Sequence, residues 1–331
     1  MKQLLLAIDV GGTKIEAVAV DLKGQTVARM VAATDNSGPE GLLESIDETA
    51  RRVLSQAQAT TADLLGVGLG VPGQVNPASG VVRLAVNLNL SSFPLAMALA
   101  GRLKAPVNVE NDVRVAALGL YQHVQAHQQL NSLAYVSVGT GIAAGIVVDG
   151  RLLRGANGMA GEIGHMVFDP QGERCLCGLR GCLETIASGP AISRRAAGFL
   201  SHNGQPPTAA DVFAAAVAGN EQAQEVVQGC ARHLARALHW LVMSYDVERV
   251  VVGGGVASAG AAFWQPIETE LSQLREQSEL ANNMLPPQKI HLLETAENPG
   301  IWGATILAYE HAKHALSADE LSSDSSYPII S

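Results

Sequence analysis

Aromatic side chains are scarce in this 331-residue chain, at 4%, and charged ones make up only 16%. A platform for stacking single-stranded nucleic acid therefore has little material to draw on. Basic charge is also short. The 22 lysines and arginines stand against 31 acidic residues, a net charge of −9, which argues against broad binding to nucleic acid or to anionic membranes. Four cysteines are too few for a disulfide scaffold in a chain of this size. Long apolar runs are missing too: none approaches the roughly 20 residues that span a bilayer. The N-terminal run Leu4 to Ile8 is broken by Asp9, so no secretory leader is expected and a cytoplasmic protein is.

What is plentiful is apolar side chain, at 47%, and glycine, with 34 residues. Such a chain builds a large core and is expected to form two lobes. Strands are predicted at Leu4–Val10, at Ile15–Asp21 and up to about Ala33. In the second of these, Ile15, Ala17 and Ala19 face one way and Glu16 and Val18 the other. A helix is predicted from Pro39 to about Gln58, then a strand at Leu65–Val71, a helix, and a strand at Val107–Val109. The order then recurs, with strands at Leu133–Val138 and Ile142–Val148 and helices at Ala209–Ala218 and Glu221–Tyr245. Strands at Arg249–Val252 and Ile290–Leu293 and a helix at Ile301–Ala315 complete it. A strand–turn–strand device occurs twice, as Ile8-Asp9-Val10-Gly11-Gly12-Thr13 and as Val136-Ser137-Val138-Gly139-Thr140-Gly141. Its repetition predicts a duplicated α/β fold with a ligand cleft between the halves.

Gly11-Gly12-Thr13 and Gly139-Thr140-Gly141 suit a phosphate, because bare backbone lets N–H groups approach and threonine adds a donor. Either alone reads more readily as an ordinary hairpin; the matched pair reverses that and favours a ligand. Lys14 follows the first turn, but a strand follows Lys14, so this is no Walker loop. Gly68-Leu69-Gly70-Val71-Pro72-Gly73 spells the dinucleotide fingerprint, yet Pro72 and Asn76–Gly80 do not open a helix. The helix N-terminus which that fingerprint requires is therefore missing. Gly253-Gly254-Gly255 follows a strand, and either admits a nucleotide close to backbone or serves helix–strand packing.

Asp9 ends a buried strand beside the first turn, placed for a metal or phosphate, or else as a turn cap. Asp112 follows a strand and precedes a helix, as a general base or an N-cap. Cys175, Cys177 and Cys182 crowd into one glycine-rich segment, ten residues after His165. Three thiolates and one imidazole make a closed tetrahedral zinc site, structural rather than catalytic. Cys230 stands apart in an apolar helical pattern and reads as core.

Together these segments resemble the ROK family of sugar kinases and repressors. The resemblance rests on Asp9-Val10-Gly11-Gly12-Thr13-Lys14, Gly70-Val71-Pro72-Gly73, Glu110-Asn111-Asp112 and Gly139-Thr140-Gly141. It rests above all on the run Gly155-Ala156-Asn157-Gly158-Met159-Ala160-Gly161-Glu162-Ile163-Gly164-His165 and on the segment from Cys175 to Glu184. It implies a duplicated α/β fold of the actin-like, hexokinase-like (ribonuclease H-like) ATPase type and phosphoryl transfer from ATP to a sugar. The lobes are expected at 1–112, with a helix at about 300–315 packing back, and at 113–299, with a zinc-containing loop at 155–184. A flexible tail is expected at 316–331. By the same resemblance Asp112 is the catalytic base, and Gly73, Asn111, Asp112, Glu162, His165 and Glu184 bind sugar. Asp9, Gly11, Gly12, Thr13, Lys14, Gly139, Thr140, Gly141, Gly254 and Gly255 face nucleotide, phosphate or Mg²⁺. Zn²⁺ is held by His165, Cys175, Cys177 and Cys182.

The resemblance implies a glucokinase, with hexose and ATP as partners and a homodimer or homotetramer as the assembly. Kinases for fructose, mannose or an N-acetylhexosamine are the alternatives within the class. Outside it stand a sugar-responsive regulator and a non-catalytic sugar-binding protein. Val113-Arg114-Val115 departs from the small residues expected after the base.

Overall fold

A run such as Leu-Leu-Leu-Ala-Ile, with no polar face, has to lie between two layers. In the computed structural model, which describes residues 2–201, 204–294 and 298–315, strand β1 (Leu4–Val10) is buried throughout except at Asp9. It is followed by β2 (Lys14–Asp21), β3 (Thr26–Ala33), helix α1 (Pro39–Gln56) and β4 (Leu64–Val71). Then come β5 (Gln74–Asn76), β6 (Val81–Ala85), β7 (Leu90–Phe93), α2 (Leu95–Leu103), β8 (Val107–Asn111) and α3 (Asp112–Gln125). The chain continues through β9 (Ser132–Val138), β10 (Ile142–Val148), β11 (Arg151–Leu152), α4 (Leu183–Ala187), α5 (Gly189–Ala196), α6 (Ala209–Val217) and α7 (Glu221–Tyr245). It ends with β12 (Arg249–Gly253), α8 (Ala261–Gln277), α9 (Glu279–Met284), β13 (Ile290–Leu292) and α10 (Pro299–Ala315). The tail expected at 316–331 lies outside the described residues.

The two main sheets have orders β3-β2-β1-β4-β8 and β11-β10-β9-β12-β13, the same topology twice. In each, an antiparallel hairpin leads into parallel neighbours. The duplication read from two turns is thus a duplication of whole sheets. A third sheet, β5-β6-β7, fills a stretch where the sequence pattern predicts no strands. Its strands are three to five residues long, too short for a period to show. Strand β2 also differs from its alternating pattern: Ile15 to Val20 are all buried, Glu16 included.

The chain divides into two compact units. The first holds 2–131, 145–160 and 298–315, and the second 132–144 and 161–294. Helix α3 therefore belongs to the first unit, whereas the expected lobe boundary fell at Asp112. In this unit α3 and β4 both pack on α10 through glycine. A Cβ on Gly66 would lie 2.3 Å from the Ala308 carbonyl oxygen, and one on Gly68 1.8 Å from that of Ala304. A Cβ on Gly303 would reach 1.9 Å from the Val115 oxygen. Gly68, the first glycine of the apparent dinucleotide fingerprint, thus serves to admit a helix against a strand. Gly68→Ala meets backbone rather than a movable side chain. It is expected to cost more than the roughly 1–3 kcal/mol of ordinary overpacking, read as lost soluble yield and a lowered melting temperature. Among the described residues no helix is long and apolar enough to cross a membrane.

Candidate active site

In the first unit the pairing registers set Glu16 opposite Asp9, Asp9 opposite Gly70, and Gly70 opposite Glu110. One row thus crosses the sheet at the carboxyl ends of its parallel strands, where α/β sheets hold their ligands. Gly70 is the gap in this row: a Cβ there would come 3.4 Å from Asp9 Oδ1 and 3.5 Å from the Asp112 Cα.

Asp9 is not a turn cap. Its Oδ2 accepts a 2.7 Å bond from Asn298 Nδ2, which also donates to Glu16 Oε2 at 3.1 Å. Burial, with Glu16 adding to it, raises the Asp9 carboxyl above its ordinary range, and the Asn298 bond opposes the rise. The Gly11 amide closes the turn onto the Lys14 carbonyl at 2.8 Å. The oxygens of Gly11, Gly12 and Thr13 accept from Thr34 Oγ1, Asn36 Nδ2 and the Thr34 amide. Thr13 and Lys14 are exposed.

Asp112 is not the N-cap of α3 either. Asn111 caps it, its Oδ1 accepting from the Arg114 amide at 3.1 Å. Asn111 Nδ2 donates to the Gly73 carbonyl at 3.1 Å and to Asp112 Oδ1 at 3.0 Å. Gly73, Asn111 and Asp112, which the sequence singled out separately, therefore form one hydrogen-bonded group. Asp112 Oδ1 also accepts from the Val113 amide at 2.9 Å. Burial first, and then the Asp9 carboxylate, push the Asp112 carboxyl up to about 7, against the Val113 bond and the Arg114 charge.

The second unit gathers the remaining positions. Gly254 has φ +95, and a Cβ there would sit 2.5 Å from the Val138 carbonyl oxygen, so only glycine fits. This closeness places Gly254 and Gly255 beside the turn Gly139-Thr140-Gly141. The Gly139 carbonyl accepts from the Gly189 amide at 2.8 Å, at the start of α5. Glu184 Oε2 accepts from the Ile142 amide at 3.0 Å, so its carboxylate stands at the same turn.

The run Gly155–His165 ends against β10. Cβ atoms on Gly161 and Gly164 would lie 1.8 and 2.1 Å from the oxygens of Ala144 and Ile142. Glu162 and His165 close a single tight turn, the His165 amide donating to the Glu162 carbonyl at 3.1 Å. The ligand atoms of His165, Cys175, Cys177 and Cys182 all lie within 4.8 Å of one another. Cys175 Sγ is 3.6 Å from His165 Nδ1, and Cys177 Sγ is 3.5 Å from Cys182 Sγ. With Zn–S near 2.3 Å, a tetrahedron has edges of about 3.8 Å, so this donor set fits a zinc ion. Nδ1 faces the thiols, which leaves Nε2 for a different partner. Cys230 is a core residue, donating to the Ile186 carbonyl at 3.3 Å.

The ROK family model matches residues 5–311. The chain belongs to the ROK family. A glucokinase of Halalkalibacterium halodurans is 36% identical over 276 residues, covering 80% of this chain and 83% of that protein. An N-acetylmannosamine kinase of Citrobacter koseri is 36% identical over 263 residues, 77% of this chain and 84% of its own. The solved ROK family glucokinase from Streptomyces griseus, in complex with glucose and AMPPNP, superposes with a TM-score of 0.75 at 28% identity. The match covers 93% of this chain and 99% of that one. The fold of this ROK protein is therefore the duplicated, hexokinase-like actin fold.

The sequence pattern alone assigns Glu110 no role, places Glu16 on the polar face of β2, and does not mark Asn298 or Arg154. Asn298-Pro299-Gly300 does carry a helix-start signal. Nothing in it points to a carboxylate 289 positions away.

Proposed function

We propose that this ROK sugar kinase transfers the γ-phosphoryl group of ATP to the 6-hydroxyl of D-glucose, with Asp112 as the general base. The observation that carries the reading is the freedom of Asp112 from capping, since Asn111 performs that task. A carboxyl raised to about 7 is matched to taking a proton near neutral pH. Phosphoryl transfer asks the protein mainly to position groups and neutralise charge. Asp112 accepts the proton of the attacking hydroxyl. Asn111, Glu162, Glu184 and His165 Nε2 orient the sugar, with the Gly73 backbone beside it. The glycine turns and Gly254-Gly255 receive the nucleotide. Asp9 would hold Mg²⁺ with the phosphates, and that ion supplies charge neutralisation. His165, Cys175, Cys177 and Cys182 would hold zinc, which fastens the segment between Glu162 and Glu184.

The 36% identity to a glucokinase supports glucose. The equal identity to an N-acetylmannosamine kinase supports the second reading, an N-acetylhexosamine acceptor. ADP release is to be measured with Mg-ATP against glucose, fructose, mannose, N-acetylglucosamine and N-acetylmannosamine. Preference for glucose is expected. Preference for N-acetylmannosamine would overturn the substrate and keep the kinase, whereas silence across the panel from folded, zinc-loaded protein would overturn both.

The base works only when ionised. The sugar kcat/KM is therefore expected to fall about tenfold per pH unit below the Asp112 value of about 7, and to level off above it. A profile flat from pH 5 to 8 would remove Asp112 from the role.

A further inference from the structure

Glu110 is only 1% exposed, and every part of its carboxylate is engaged. Oε1 accepts from the Asn111 amide at 2.9 Å and from Arg114 Nε at 2.9 Å. Oε2 accepts from Arg154 Nε at 2.6 Å. A buried carboxylate is costly unless paired and hydrogen-bonded, and here one carboxylate joins three pieces of backbone, the first two of them adjacent.

The first piece is the turn that carries Asn111 and Asp112. Fixing the Asn111 amide fixes the residue whose side chain bridges Gly73 and Asp112. The second is the opening turn of α3, through Arg114. That arginine is 2% exposed, and its Nη2 is buried without a partner. Core packing alone would not favour an arginine there. The third is the stem of the glycine-rich run. The Arg154 carbonyl accepts from the Ala160 amide at 3.1 Å, and the Gly155 carbonyl from the Gly158 amide. Residues 154–160 thus form a closed loop whose next residues are Gly161 and Glu162. Holding Arg154 holds the base of that loop.

We propose that Glu110 is a positioning residue for sugar phosphorylation, tying the Asn111–Asp112 turn to the Arg154–Ala160 loop through one carboxylate. It touches neither sugar nor nucleotide. It acts through Asn111 and Asp112 on one side and through Arg154 on the other. The inference rests on the sugar-kinase reading with Asp112 as base.

The test compares wild type with Glu110→Gln, Arg154→Ala and Arg154→Lys, measuring kcat and KM for the preferred sugar and for ATP separately, well below each melting temperature. Glu110→Gln keeps the shape and removes the charge. Displacing the acceptor-side groups is expected to lower kcat/KM for the sugar by about 10²-fold, the scale of a small misplacement at a reacting centre. The KM for ATP is expected to stay within about twofold, because misplacing the sugar-side turn adds no cost to nucleotide binding. A merely destabilised protein would show less active enzyme and unchanged KM for both substrates. Arg154 has a side chain 41% exposed, so its variants retain the fold if Glu110→Gln does not. Arg154→Ala is expected to lower sugar kcat/KM about tenfold and Arg154→Lys to recover most of it, since lysine restores charge and one donor. Wild-type sugar kinetics in Arg154→Ala, or KM values raised equally for sugar and ATP, would overturn the positioning role. An inactive wild type would instead overturn the kinase reading on which it rests.

Discussion

Asp112→Asn is expected to lower kcat by about 10²–10⁴-fold, the contribution of a positioned general base, and to leave sugar affinity nearly intact. Asparagine has the size of the acid and keeps an oxygen for the Asn111 and Val113 donors, so the hydrogen-bonded group survives. Only the capacity to take a proton is lost. The same variant is expected to be more stable than wild type at pH 8. The Asp112 carboxyl is held up at about 7 in the folded protein, above its ordinary 3.8. The folded state therefore binds this proton more tightly than the unfolded state does, and stability is given up as pH rises from about 4 through 7. At pH 8 the full cost is present, on the order of 4 kcal/mol for the rise from 3.8 to about 7 when one pKa unit is worth about 1.4. Removing the charge returns it. The check is a pair of thermal melts: Asp112→Asn should melt above wild type at pH 8, and the gap should close toward pH 4. Retained turnover in the variant, or a lower melting temperature at pH 8, would contradict the assignment.

Cys177→Ser is expected to lower stability and sugar affinity together. Serine cannot supply the thiolate that a Cys₃His zinc set requires, and a structural zinc site contributes its binding energy to folding. Cys177 itself is exposed, so the substitution opens no cavity and its effect reports the metal. The segment that zinc would fasten runs from Glu162 to Glu184, and both ends carry a proposed sugar contact. A loss of sugar affinity of roughly tenfold or more is expected, on the scale of disrupted metal support, with ATP affinity much less changed. Bound zinc, by elemental analysis, should fall from near one per chain toward zero. Zinc-free protein with wild-type sugar affinity would separate the metal from the site.

Much of this was legible in the sequence because it is local. The Cys₃His cluster lies within 18 positions, and the turns, the Glu110-Asn111-Asp112 run and the long glycine signature are each continuous. The glycines at 161 and 164 stand inside that signature, and their reason shows only in the fold, in the carbonyls of Ala144 and Ile142 against which they press. What escaped is long-range or depends on which of two neighbours performs a task. Asn298 reaches Asp9 across the length of the chain. Glu110 meets Arg154 only through a loop that returns to it. Asn111 and Asp112 are equally good caps by residue type, and only the geometry shows that the first caps and leaves the second free. Gly68 and Gly70 spell a cofactor motif in letters, but the first faces a helix and the second the Asp9 carboxylate and the Asp112 backbone.

The close seating of α10 on β4 and α3 bears on how this protein is made. Gly66 and Gly68 leave a bare strip on β4 that is filled by Ala304 and Ala308, among the last residues described. A ribosome moving at about 5–20 residues per second takes roughly 10–40 s to go from residue 131 to residue 315. During that interval the first sheet is fully synthesised but lacks its covering helix. The nascent N-terminal half must wait, with apolar surface uncovered, for a segment translated after the entire second unit. Chains that terminate before residue 299 should therefore enter the cell as chaperone clients rather than as smaller working enzymes.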